Sequence, residues 1–340
     1  MHHPFAPHPR NRPAPAGPPV PFDPEPAAFL DGPAVPPGAE PSSPADVPRW
    51  RDLLARTSPD PTDEELRDGG AFEVHERYVP GPAGAPAVPV LVARPAGAPA
   101  DAPVVCHLHG GGMIGGTHRT GVAGILREWA APLGLVVVSV GYRLAPEHPY
   151  PAGVEDCYAG LRWTAGQLGG PGGGPRRIVL AGGSAGGGLA TAVALMARDR
   201  GGPALTGVLA MCPMLDDRND TASARQMTGR GVWDRYANDV GWACLLGEAR
   251  GSADVPPYAA PARATDWSGL PPFYVDAGAA ETYRDETIAL ADALWRAGGD
   301  AELHVWSGGF HGFDQLVPDA AVSRDARATR VRWLRRILAR

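Results

Sequence analysis

From Ala71 onward the chain alternates between two hydrophobic periods. Segments 71–79 (AFEVHERYV) and 88–94 (VPVLVAR) place apolar residues at nearly every second position, the pattern of half-buried strands. Segments 101–109 (DAPVVCHLH) and 133–142 (LGLVVVSVGY) are instead short and almost continuously apolar, which suits strands covered on both faces. Four further strand patterns follow at 176–182 (RRIVLAG), 204–212 (ALTGVLAMC), 270–278 (LPPFYVDAG) and 301–308 (AELHVWSG). Between the later strands, helical spacing predicts helices over 120–131, 154–168, 185–200, 282–297 and 320–338. Strand and helix in turn over this length predict an α/β fold with a mostly parallel central sheet flanked by helices.

The alternation is absent at the start and breaks once inside. Residues 1–48 hold 16 of the 39 prolines, too many for a long helix or a central strand, and residues 1–20 read as a disordered tail. Short helical patterns appear at 22–30 (FDPEPAAFL) and 45–56 (ADVPRWRDLLAR), the second with Trp50, Leu53 and Leu54 on one face. Between 216 and 262 a polar start (DDRNDTAS) leads into a Trp-rich, helix-like piece, an insertion that reads as a lid. The expected division is a tail at 1–20, an N-terminal cap segment at 21–66, a core at 67–213 and 263–340, and a cap insertion at 214–262. The glycine-rich stretch 168–175 reads as a loop joining a helix to a strand.

Composition mainly excludes. The chain has 340 residues, 45 Gly and no Lys, so all 31 basic residues are Arg, against 37 acidic ones. A formal charge of −6 gives no general attraction to nucleic acid or to anionic membranes. No apolar run approaches the ~20 residues of a membrane span. The N-terminus MHHPFAPHPR carries no apolar signal region, which predicts a cytoplasmic location. Four cysteines, Cys106, Cys157, Cys212 and Cys244, are widely spaced without a CxxC pair, the pattern of free thiols.

Three segments carry chemistry. Gly182-Gly183-Ser184-Ala185-Gly186 lies between a strand and a helix, the setting of a nucleophile elbow, where small neighbours permit a sharp turn. His109-Gly110-Gly111-Gly112 directly follows a strand, and successive glycines leave backbone N–H groups unobstructed toward a substrate oxygen. Candidate donors are Gly111, Gly112 and Ala185, the residue after the serine. Gly308-Gly309-Phe310-His311-Gly312-Phe313 follows the last strand and places a histidine where it can reach the serine, in the chain order serine, acid, histidine. For the acid, Asp276, Glu281 and Asp285 compete; Asp276 lies inside a strand and Asp285 at a helix start, leaving Glu281 on the turn between them. Cys106, His107 and His109 make no metal cluster, because strand alternation puts Cys106 on the opposite face from both histidines.

These motifs, with Tyr142-Arg143-Leu144-Ala145-Pro146-Glu147-His148-Pro149 and Ser184-Ala185-Gly186-Gly187, resemble the hormone-sensitive lipase family of α/β-hydrolase esterases, over about residues 71–338. The resemblance implies an α/β-hydrolase fold with a helical cap and hydrolysis of small carboxylic esters without a cofactor or metal. By it, Ser184 is the nucleophile, His311 the general base and Gly111, Gly112 and Ala185 the oxyanion donors. Two departures stand out: Gly183 precedes the serine where the family usually has Asp, and Glu281 occupies the place of the usual Asp acid. Short to medium acyl chains are expected, with Trp233, Tyr236 and Trp242 limiting the pocket. A homodimer is a further expectation from the family. A specialised deacetylase, lactonase or acyltransferase would use the same residues, and a non-catalytic receptor would lack His311.

Overall fold

The computed structural model describes residues 16–32, 40–167 and 177–339. The expected loop at 168–175 and residues 1–15 of the expected tail lie outside them. Eight strands form one sheet: β1 (Phe72–Val79), β2 (Val88–Pro95), β3 (Val104–Leu108), β4 (Val136–Val140), β5 (Ile178–Gly183), β6 (Gly207–Met211), β7 (Phe273–Gly278) and β8 (Ala301–Trp306). Their spatial order is β1-β2-β4-β3-β5-β6-β7-β8, antiparallel from β1 through β2 to β4 and parallel in every other pairing.

The continuous apolar runs are explained by two separate cores. In β3, Val104, Cys106 and Leu108 face the packing layer that contains the helices Ala152–Gln167 and Ala185–Asp199, while Val105 faces the helix Ala321–Leu338. The helix expected at 120–131 is instead Val122–Ile125, a π-helical turn Leu126–Ala130 and Ala131–Leu133, so one extra residue per turn interrupts the regular spacing.

The helix Ala185–Asp199 is buried along residues 185–197, although it opens with glycines at 186, 187 and 188. Each glycine in a helix costs about 1 kcal/mol relative to Ala. The compensation is proximity: a Cβ on Gly186 would stand 2.0 Å from the Leu108 carbonyl oxygen, and one on Gly188 would stand 2.0 Å from that of Met214. The helix start therefore rests backbone against backbone on the end of β3.

The N-terminal segment is fastened to the core. Gln226 Nε2 donates to the carbonyls of Gly17 and Pro18, so the last residues of the stretch expected as a disordered tail are held by the insertion. A proline-rich chain still offers carbonyl acceptors, which composition alone does not reveal. The helix Pro24–Leu30 is capped by the Asp23 side chain and lays Phe22 and Phe29 on Phe310 at ring distances of 6.3 and 6.2 Å. In the helix Val47–Thr57, Trp50 is buried while Leu53 and Leu54 are half-buried.

Beneath the C-terminal end of β7 lies a buried ionic group. Asp276 Oδ2 accepts from Arg330 Nε at 2.8 Å, Trp306 Nε1 at 3.1 Å and Tyr274 Oη at 3.2 Å, while Arg330 Nη1 also pairs with Asp314. Removing the guanidinium leaves two buried carboxylates uncompensated, so Arg330→Ala is expected to cost at least ~3–5 kcal/mol in chemical denaturation. Arg336→Ala, which breaks the exposed pair with Glu302, is expected to cost under ~1 kcal/mol. Equal effects of the two substitutions would contradict this.

Candidate active site

Ser184 joins β5 to the following helix with φ 57° and ψ −123°, a left-handed conformation rare for a residue with a side chain. The turn is held by its backbone: Ser184 N donates to Met211 O at 2.8 Å, and Ser184 O accepts from Met214 N at 3.0 Å and Gly188 N at 3.1 Å. Glycine is required on both sides. A Cβ on Gly182 would meet the Gly186 carbonyl at 2.3 Å, and one on Gly186 would meet the Leu108 carbonyl. Gly183 differs, since nothing lies within 3.6 Å of a Cβ there.

The loop after β8 brings His311 to this serine, with Nε2 3.0 Å from Ser184 Oγ. Its other nitrogen, Nδ1, is 2.6 Å from Glu281 Oε2, and Glu281 Oε1 accepts the Gly278 N–H at 2.9 Å. Glu281 stands on the turn between β7 and the helix Arg284–Arg296. The other two candidate acids are engaged elsewhere: Asp276 with Arg330, and Asp285 with the Ser223 N–H and Arg284. Of the candidates, the structure thus brings Glu281 to the imidazole.

Cys212, at φ 38° immediately after β6, offers its sulfur within 4.8 Å of the Glu281 and His311 ligand atoms. Three such donors could in principle hold a metal, but the Glu281 and His311 atoms are already committed to each other and to Ser184. Burial pushes the Cys212 thiol pKa up, which keeps it protonated at neutral pH. Burial also opposes charge on His311, yet Cys212 and Glu281 outweigh it and hold the His311 pKa well above the usual histidine range.

The glycine loop lies against the serine, and a Cβ on Gly110 would be 3.6 Å from Ser184 Cβ. Gly111 and Gly112 have φ of 113° and 60°. Their N–H groups donate to no other backbone group among the described residues. Ala185 opens its helix, where the N–H has no partner within the helix. His109 is buried, its ring stacked on Tyr142 at 4.1 Å and Nδ1 2.8 Å from the Gly110 carbonyl, while Tyr142 Oη donates to His109 O. Burial lowers its pKa to about 4, so it stays neutral.

The insertion meets this loop through Trp233. A Cβ on Gly112 would overlap the indole at 2.1 Å, so glycine here serves the tryptophan as well as the backbone turn. Trp233 Nε1 donates to Tyr283 Oη at 2.6 Å, Tyr283 Oη donates to Asn238 at 2.8 Å, and Thr282 Oγ1 donates to Trp233 O at 2.9 Å. Glu40 accepts the Trp233 and Asp234 amides, although burial raises its pKa. Tyr236, expected to wall the pocket, is 51% exposed, because helical spacing turns it away from the face that buries Ala237 and Val240. Sequence reasoning missed Cys212, Tyr283 and Glu40, whose roles depend on contacts between distant segments.

Residues 105–315 match the α/β-hydrolase fold family. Carboxylesterase NlhH of Mycobacterium tuberculosis is 36% identical over 258 residues, covering 74% of this chain and 79% of that relative. The chain is an α/β-hydrolase of the hormone-sensitive lipase family. Human hormone-sensitive lipase itself is 38% identical over 120 residues, 35% of this chain and 11% of that much longer protein. The solved bacterial heroin esterase superposes with a TM-score of 0.82 at 36% identity, covering 93% of this chain and 98% of that one. The protein is accordingly a carboxylesterase, and among its described residues no helix is long and apolar enough to cross a membrane.

The two glycines flanking the elbow of this esterase should respond oppositely to a methyl group. Gly186→Ala forces a backbone displacement and is expected to lower stability by ~1–3 kcal/mol or more, with loss of activity. Gly183→Ala meets only ordinary contacts and should leave the melting temperature and esterase rate close to wild type. A tolerated Gly186→Ala would refute the close approach.

Proposed function

We propose that Ser184, His311 and Glu281 form the catalytic triad, and that the N–H groups of Gly111, Gly112 and Ala185 form the oxyanion hole. The observation that carries this reading is the continuous chain from Ser184 Oγ through both His311 nitrogens to Glu281, at 3.0 and 2.6 Å. His311 Nε2 takes the hydroxyl proton as Oγ attacks the ester carbonyl, and the carbonyl oxygen gains negative charge facing the three amides. Collapse of the tetrahedral intermediate expels the alcohol, protonated by His311. Water then attacks the acyl carbon as it gives a proton to the same nitrogen, and collapse of the second tetrahedral intermediate returns that proton to Ser184 Oγ and releases the acid. Glu281 fixes the imidazole tautomer with Nδ1 protonated and stabilises the imidazolium.

The cap in this proposal consists of residues 21–66 and the insertion 214–262, over a core of 67–213 and 263–340. Beside the glycine loop, Met113, Tyr142, Tyr150, Leu189, Leu245 and Tyr258 line a small apolar recess. The Trp233 indole packed against Gly112 supports short to medium acyl chains. Turnover of a long-chain ester faster than of a butyrate ester would count against that preference.

Ser184→Ala should abolish hydrolysis of a short aryl ester while preserving the fold, and activity within tenfold of wild type would remove Ser184 from its role. Glu281→Gln is expected to lower kcat by ~10⁴-fold, through the wrong imidazole tautomer. Asp285→Asn should lose far less. Asp276→Asn should weaken the protein by disturbing Arg330 while the folded fraction keeps most of its kcat.

The pH profile tests the electrostatics. The base acts as neutral imidazole, so kcat/KM rises as pH passes upward through the His311 pKa. Against the opposing effect of burial, Cys212 and Glu281 raise that pKa, which places the midpoint above the ordinary histidine value of ~6.5. A midpoint at or below that value in the wild type would contradict the assignment.

A further inference from the structure

Gly111, Gly112 and Met113 are three successive residues with left-handed φ, at 113°, 60° and 66°. The third carries a side chain, and such a conformation persists only where the surroundings over-determine it. Part of the restraint is internal: the Ile114 and Gly115 N–H groups both donate to Gly111 O at 2.9 Å. A second part comes from the segment after β4, where Ala145 N donates to Met113 O at 3.0 Å. The third part comes from outside the core. Arg51, on the helix Val47–Thr57, donates from Nε to Ile114 O at 2.6 Å across a sequence separation of 63 residues.

The same guanidinium closes the circuit. Its Nη2 donates to Ala145 O at 2.8 Å, and Nη1 and Nη2 pair with Glu147 Oε1 and Oε2 at 2.8 Å each. Arg51 holds the Glu147 carboxyl down at about 2, so the carboxylate is ionised at neutral pH. One planar fork thus ties the glycine loop to the segment after β4 at two carbonyls and one carboxylate. Next to it, Trp50 lies so close to Gly115 that a Cβ there would be 2.5 Å from its ring.

We propose that Arg51 is a positioning residue that aims the Gly111 and Gly112 N–H groups, so that the N-terminal cap segment is part of the oxyanion-stabilising machinery. This rests on the reading that those amides receive the oxyanion. Lysine is not equivalent, because one ammonium on a flexible stem cannot present parallel donors to Ile114 O, Ala145 O and Glu147 together.

The test compares wild type, Arg51→Gln and Arg51→Lys on a short-chain aryl ester. It also measures inhibition by an aryl trifluoromethyl ketone, whose adduct with the serine carries an oxyanion. In Arg51→Gln, kcat should fall ~10²-fold, the scale of losing one oxyanion donor, with KM within about threefold of wild type. Ketone affinity should fall in step with kcat/KM, Arg51→Lys should recover only part of the rate, and added methylguanidinium should restore part of it to Arg51→Gln. A raised KM with kcat retained would make Arg51 a mere wall of the cap, and a kcat loss without loss of ketone affinity would equally overturn the proposal. If Arg51→Gln does not fold, Glu147→Gln must show a smaller loss confined to kcat, and an unchanged kcat there overturns the inference. An active Ser184→Ala would remove the triad reading, whereas an inactive Ser184→Ala beside a fully active Arg51→Gln removes this inference alone.

Discussion

The approach of the helix Ala185–Asp199 to the end of β3, backbone to backbone, is the constraint on which the site depends. Only glycine at 182 and 186 lets the Leu108 carbonyl come so near. That proximity forces the chain between them into a turn too tight for ordinary φ, and Ser184 takes the left-handed conformation. The same contact sets the glycine loop beside the serine, because the loop begins where β3 ends. Nucleophile and glycine loop are thereby brought side by side by a single packing event between backbones, on which the Arg51 contacts then act.

The histidine loop is held from several sides. Phe310 is buried between the N-terminal aromatics, and Gly309 abuts Gly278 closely enough that a Cβ on Gly278 would stand 2.0 Å from the Gly309 carbonyl. Behind it, Asp314 is drawn to Arg330, which also binds Asp276 at the end of β7. The turn carrying Glu281 leaves that same strand, and the Gly278 N–H orients its carboxylate. The buried ionic group therefore ties the two loops that must meet at the imidazole to β7, and it occupies Asp276 with Arg330.

Strand and helix positions were legible because their signals are local. A buried parallel strand and a helix with one apolar stripe each declare their period within a dozen residues. The order of Ser184, Glu281 and His311 along the chain was legible for a related reason: each lies just past a strand end, and parallel strands bring such ends to one edge of the sheet. Cys212 beside His311 was not legible, since nothing in Met-Cys-Pro distinguishes a strand end facing an imidazole from one facing solvent. Tyr236 was misplaced for a similar reason: an aromatic in a lid-like helix declares the helix but not which neighbour covers its face. The π-helical turn at Leu126–Ala130 leaves no composition signal, and the contacts of Arg51 are made entirely across distant segments.

Gly183 is where this chain departs most plainly from its family, and the structure bears on what that departure means. The family's Asp at this position invites the idea that a carboxylate holds the elbow. Here the elbow is held by Ser184 N on Met211 O and by Ser184 O on the Met214 and Gly188 amides, a set of backbone bonds complete without any side chain at 183. A Cβ at 183 would meet only the Met211 side chain and carbonyl, at 3.6 to 3.9 Å. Glycine at 182 and 186 answers a steric demand, whereas glycine at 183 answers none. The geometry of the nucleophile therefore stands without a carboxylate at 183.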